Sequence, residues 1–255
     1  MRACRPSILP AKNHSIHLDA DDGFAASPLH DVTASRPACL APLFLEHEGQ
    51  KLKFNDILAA PGGRIYAGTY YWNAADEMER AGKLYLVQPD SSVEVVAEGI
   101  ELANGLGLSP DLKTLYFADS TARVIYAFDV DEQSGRLSRR RVFVKVPSDE
   151  GLPDGLTVDA DGFVWSAQWY GSQVVRYDPA GKVERRIAMP VGQVASVEFG
   201  GGELDELFIT SAGESWKSRF SPPGYDYSKP VGGAVYRARS GVRGKKELVA
   251  AVCRG

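Results

Sequence analysis

Histidine is missing from most of this chain. All four (His14, His17, His30 and His47) lie in its first 47 residues. The body that follows therefore has no imidazole to serve as base or ligand. A Ser-His-Asp triad or a three-histidine zinc site is excluded there unless the N-terminal segment supplies the ring. Cysteine is scarce too: Cys4, Cys39 and Cys253 are odd in number, far apart and in no CxxC arrangement, which argues against a disulfide framework. No apolar run approaches the ~20 residues that span a bilayer, so no membrane partner is expected. An excess of positive charge is also lacking. The net charge is −4, which argues against a nucleic-acid partner, and the short basic runs at residues 139–141 and 245–246 read as solvated turns. The N-terminus has no apolar signal core, and the expected location is cytoplasmic. Long amphipathic helices are missing as well, with at most a short helix expected across residues 73–83.

What is present is repetition. At 255 residues, 44% hydrophobic and 24% charged, the chain has the composition of a globular protein. Residues 55–68, 104–119 and 154–167 share one pattern. Each opens on Asn or Asp, runs a short apolar strand, turns on Pro, Asp and Gly, and re-enters an aromatic-rich strand. Between them lie hairpins: residues 84–87 with 93–96, 124–128 with 141–144, and 174–177 with 183–188. A weaker copy begins near Ser196, and residues 233–237 with 247–250 suggest a last hairpin. A strand-turn-strand unit recurring every ~50 residues is the mark of a β-propeller. The innermost strands of a propeller converge on one channel, so the polar openers Asn55, Asn104 and Asp154 are expected to meet at its axis. Residues 43–255 are assigned to this all-β propeller domain. Residues 1–42 are read as an irregular N-terminal segment or the remnant of a first blade, and a monomer or weak homodimer is expected.

The motifs Lys53-Phe54-Asn55-Asp56, Asn104-Gly105-Leu106 with Ser109-Pro110-Asp111, Ala118-Asp119-Ser120 and Pro153-Asp154-Gly155-Leu156 resemble those of the gluconolactonase, regucalcin and senescence-marker-protein family. The resemblance runs through residues 43–240 in unbroken order. It implies a six-bladed propeller, here with a shortened or irregular N-terminal blade, that hydrolyses sugar lactones with one divalent metal in its channel. That metal is calcium by first expectation, with Mn, Zn, Mg or Fe as alternatives. By position the resemblance places Asn104 and Asp154 on two metal ligands, with Asp154 also the general base. Asn55 falls on a substrate-binding residue, Lys53 on a position that usually holds Arg, and Asn73 near a substrate-contacting Glu. The family's third side-chain ligand, a Glu in a Gly-Glu-x-Pro motif, has no counterpart here. His14 lies near that point by a faint echo of the repeat; Glu46 and Glu48 are no better placed.

Asn and Asp before Gly are also common simply as turn formers. Recurrence at equivalent points of a repeat, and coincidence with ligand positions, favour the metal reading. An amide oxygen and a carboxylate are hard donors suited to such ions. Trp169 and Tyr70 are placed at the channel mouth, Asp119, Asp159, Asp161 and Asp178 in structural turns, and residues 216–229 in a loop over one face. The leading expectation is a metal-dependent lactonase acting on a small lactone. The alternatives are a catalytically impaired propeller that binds a small molecule or protein, and a phosphotriesterase-like hydrolase on the same fold.

Overall fold

The computed structural model describes residues 46–73, 75–214, 217–230 and 232–251. A two-strand hairpin, β1 (Glu46–His47) and β2 (Gln50–Lys51), leads into four successive sheets. The first holds β3 (Phe54–Ala60), β4 (Arg64–Thr69), β5 (Gly82–Val87) and β6 (Val93–Ile100). The second holds β7 (Ala103–Leu108), β8 (Thr114–Asp119), β9 (Val124–Val130) and β10 (Leu137–Lys145). The third holds β11 (Leu152–Val158), β12 (Val164–Trp169), β13 (Gln173–Tyr177) and β14 (Val183–Ala188). The fourth has three strands, β15 (Val194–Gly200), β16 (Glu206–Ser211) and β17 (Val235–Arg239). Every sheet is an antiparallel meander in chain order, and the first strands of consecutive sheets, β3, β7, β11 and β15, lie against one another. These are the blades of a propeller.

Alternation within strands explains the packing. Leu115 and Phe117 of β8 face the first blade, while Tyr116 and Ala118 face the third. On β13, Val175 and Tyr177 turn back to the second blade and Val174 turns on to the fourth. Successive side chains on a strand point to opposite faces. A middle blade therefore needs apolar residues at both parities, and its strands read as nearly continuous hydrophobic runs. The core is divided accordingly into three layers between blades, each holding fully buried aromatics or branched aliphatics such as Phe117, Val158 and Trp165.

Polar turns complete the scaffold as the sequence suggests. The Asp159 carboxylate, fully buried, accepts from the Trp165 indole at 2.9 Å and from Arg176 at 2.7 Å. Asp178 accepts two backbone N–H groups of its own turn, and Asp119 those of Glu101 and Leu102.

Three expectations need correction. The described residues build four blades and not six, because first strands starting at Phe54, Ala103, Leu152 and Val194 leave room for four between residues 46 and 251. Among the described residues of 73–83 no helix is formed. The Asn73 Oδ1 accepts the N–H groups of Ala75 and Glu77 at 2.9 and 3.1 Å, a local turn that competes with helix. The last hairpin is also incomplete. Its first half is β17, but residues 245–250 form no strand and instead leave the blade. The expected irregular segment 1–42, with His14, Cys4 and Cys39, lies outside the described residues, as do Trp216 and Cys253.

Candidate functional site

Each innermost strand is bulged at its opening. The pairing register slips between Phe54 and Asp56, between Ala103 and Leu106, between Pro153 and Leu156, and between Val194 and Ser196. A bulge leaves a residue out of the ladder and re-aims its side chain. The residues so released are Asn55, Asn104, Asp154 and, in the fourth blade, Ala195. The first three line one cleft of ≈ 610 Å³ at the end of the channel where these strands begin. The polar openers of the repeat thus meet where the propeller reading places them.

The glycines that follow have a steric task. A Cβ on Gly155 would fall 2.6 Å from the Ser196 Cβ and 2.7 Å from its Cα, and one on Gly105 would fall 2.3 Å from the Leu156 backbone nitrogen. Neither glycine has a positive φ. Their role is close approach of neighbouring strands rather than a turn, which removes the turn-former explanation for Asn-Gly and Asp-Gly here.

Electrostatics single out Asp154. Its carboxyl is pushed well above the ordinary carboxylate range, first by burial and then by the negative charge of Asp56, with the Gly155 N–H pulling weakly the other way. Asp56 is itself raised by burial. Sequence reasoning gave Asp56 no role, although it stands in the motif Lys53-Phe54-Asn55-Asp56. The two amides are both oriented. Asn55 Nδ2 donates to the Ala103 carbonyl at 2.7 Å, and Asn104 Nδ2 donates to the Ser120 Oγ at 3.0 Å. With the nitrogens so used, the Asn104 oxygen is the end left for the cleft. Among the described residues no three His, Cys, Asp or Glu side chains converge, so any cation here would draw on amide and carboxylate oxygens together.

The remaining expected residues divide. Tyr70 and Trp169 line the cleft mouth. Asn73 lines it too, but its oxygen serves its own turn and its Nδ2 donates to Glu77 at 3.1 Å. Lys53 is exposed and lies over the Tyr70 ring at 4.3 Å, outside the lining. Glu48 sits in a separate depression with Tyr71 and Arg80. Residues to which the sequence gave no individual role also line the cleft: Ser120 and Thr121 after β8, and Ser218 and Phe220 from the expected loop 216–229. Phe220 meets Trp72 edge-on at 5.1 Å, and its carbonyl accepts from Arg123 at 2.6 Å, so part of the expected covering loop does border the cleft.

Residues 9–213 match the family model described as SMP-30/Gluconolactonase/LRE-like region. The chain is 37% identical over 196 residues to the pentonolactonase XacC of Haloferax volcanii, covering 77% of this chain and 65% of that one. Among solved structures it resembles a luciferin-regenerating enzyme, with TM-score 0.70, 32% identity, and coverage of 77% and 64%. It also resembles the calcium-binding protein regucalcin of Agrobacterium tumefaciens, with TM-score 0.64, 27% identity, and coverage of 77% and 64%. The chain thus spans just under two thirds of the length of these relatives.

Proposed function

The chain belongs to the SMP-30/gluconolactonase/LRE-like family, and from that premise we propose that it opens sugar lactones by attack of water, with a divalent cation held by Asn104 and Asp154. The observation that carries the reading is the meeting of Asn55, Asn104 and Asp154 in one cleft, released by equivalent bulges of three successive blades. The name of the pentonolactonase relative supports the substrate class, and that of the calcium-binding regucalcin supports a hard cation.

The residues fit such an ion. The half-buried Asp154 carboxyl is raised by desolvation and by the charge of a second carboxylate, Asp56, an arrangement that a neighbouring cation would relieve. Amide and carboxylate oxygens are the donors that calcium, magnesium or manganese prefer. When bound, the ion would supply Lewis-acid polarisation of the lactone carbonyl.

The chain's own groups do the rest. The Asp154 carboxylate accepts a proton from the attacking water as its oxygen bonds to the carbonyl carbon. The ring C–O bond then breaks, and the departing oxygen takes that proton back, leaving a hydroxy acid. Asn55, with its nitrogen tied to Ala103, offers an oxygen to substrate hydroxyls. Asn73 lies at the rim with its amide engaged in its own turn and with Glu77, and Lys53 stands outside the lining over the Tyr70 ring. Tyr70 and Trp169 flank the cleft with faces suited to the C–H side of a sugar ring.

The test is hydrolysis of an aldonolactone panel after EDTA treatment, repeated with Ca²⁺, Mn²⁺, Mg²⁺, Zn²⁺ or Fe²⁺ added back. Turnover restored by a cation and reduced ~10²-fold or more in Asp154→Ala is the expected result. A folded protein inactive with every cation would instead leave the binding-module reading in possession of the site.

A further inference from the structure

Ser120 stands directly after β8 and is 4% exposed. Its Oγ lies 2.6 Å from the Pro153 carbonyl oxygen and 3.0 Å from Asn104 Nδ2. A carbonyl oxygen can only accept, so the single hydroxyl proton of Ser120 is committed to Pro153. What remains on Oγ is lone pair, and that accepts from a donor. The end of the Asn104 amide facing Ser120 must therefore be the NH₂, and the oxygen must face away from it. An asparagine has two ends of nearly equal size, and only its hydrogen-bond partners decide between them.

We propose that Ser120 is the positioning residue of this site: one hydroxyl that turns the Asn104 oxygen into the cleft and ties it to the strand carrying Asp154. Pro153 is the residue immediately before Asp154, so the chain Asn104–Ser120–Pro153 links a donor of the second blade to a donor of the third. The inference rests on the cation reading above. Without the hydroxyl the Asn104 amide is free to turn, and its NH₂ end would then confront the cation with hydrogens. Partners of this kind, one shell beyond the ligands, commonly govern metal affinity.

The alternative is that Ser120 only satisfies a buried carbonyl and supports the fold. Asn104→Asp separates the two, because a carboxylate presents oxygen at either end and needs no orientation. Calcium and manganese are titrated calorimetrically into metal-stripped wild type, Ser120→Ala, Asn104→Asp and the double variant. Ser120→Ala is expected to lose about 10- to 100-fold in affinity when residue 104 is Asn, and less than about threefold in the Asn104→Asp background. Ser120→Thr, which keeps the hydroxyl, is expected to retain most of the affinity. Equal losses in both backgrounds would show a purely structural role and overturn the proposal, as would no loss in Ser120→Ala. A folded wild type that binds neither cation removes the cation reading and this inference with it. A wild type that binds, with Ser120→Ala unchanged, removes the inference alone.

Discussion

Asp119 shows how a single side chain can tune stability without joining the site. It is 1% exposed, and burial raises its carboxyl from 3.8 to about 6, although the N–H groups of Leu102 and Glu101 pull it down. The folded-state value lies above that of the unfolded chain. Between those two values the native state holds a proton that the unfolded state has released. Its stabilising contribution is therefore complete at low pH and is lost as pH rises through about 6. In Asp119→Asn this dependence disappears, so the variant should gain on wild type as pH is raised from 4 to 7 in urea unfolding series. A constant difference across that range would refute the assignment. At this scale the sequence revealed much: Asn55, Asn104 and Asp154 were marked by recurrence, and Asp119 and Asp159 by their turns. Ser120 was not marked, although it stands within a motif shared with the family. Its importance lies in two partners, 16 and 33 residues away, that no local pattern connects.

The elements were legible wherever their causes are local. Strand alternation and Asp/Gly turns act over a few residues, so the hairpins of the first three blades stand close to where the pattern put them. The bulges were not legible, since a slip in register is decided by the partner strand. The glycines after Asn104 and Asp154 illustrate this: in sequence they look like turn residues, and in the fold they permit neighbouring strands to touch. Gly155→Ala should cost about 1–3 kcal/mol by overpacking against Ser196. Gly202→Ala, with nothing within 4 Å of the added carbon and no positive φ, should stay within about 0.5 kcal/mol of wild type. Denaturant midpoints of the two variants check this directly; equal midpoints would show that the innermost strands are less closely apposed than described.

At the scale of the whole molecule, residues 240–251 act as a strap. After β17 the Ser240 N–H bonds to Asp205 and the Gly244 N–H to Leu204, both in the fourth blade. The Arg243 carbonyl then accepts from Ala160 in the third blade. Leu248 packs against the layer between the first two blades, and the Ala251 N–H reaches the Gly63 carbonyl of the first. The strap thus crosses the turns at the end of the channel opposite the cleft. Truncation after Arg239 should destabilise by about 2 kcal/mol or more, from lost backbone bonds and exposed apolar surface. At this size that is roughly 4–8 °C in Tm by calorimetry. An unchanged Tm would mean that the strap is a passenger on the surface.

By itself the sequence determined the class of fold, the length of the repeat and the chemistry of the three polar openers, because alternation, turn residues and side-chain donors are properties of short stretches of chain. Only the tertiary structure decided that four blades are formed by the described residues, that the last segment crosses the blades instead of completing one, and which end of the Asn104 amide faces the cleft. Each of those depends on groups far apart in the chain, brought together by the packing of one sheet on the next.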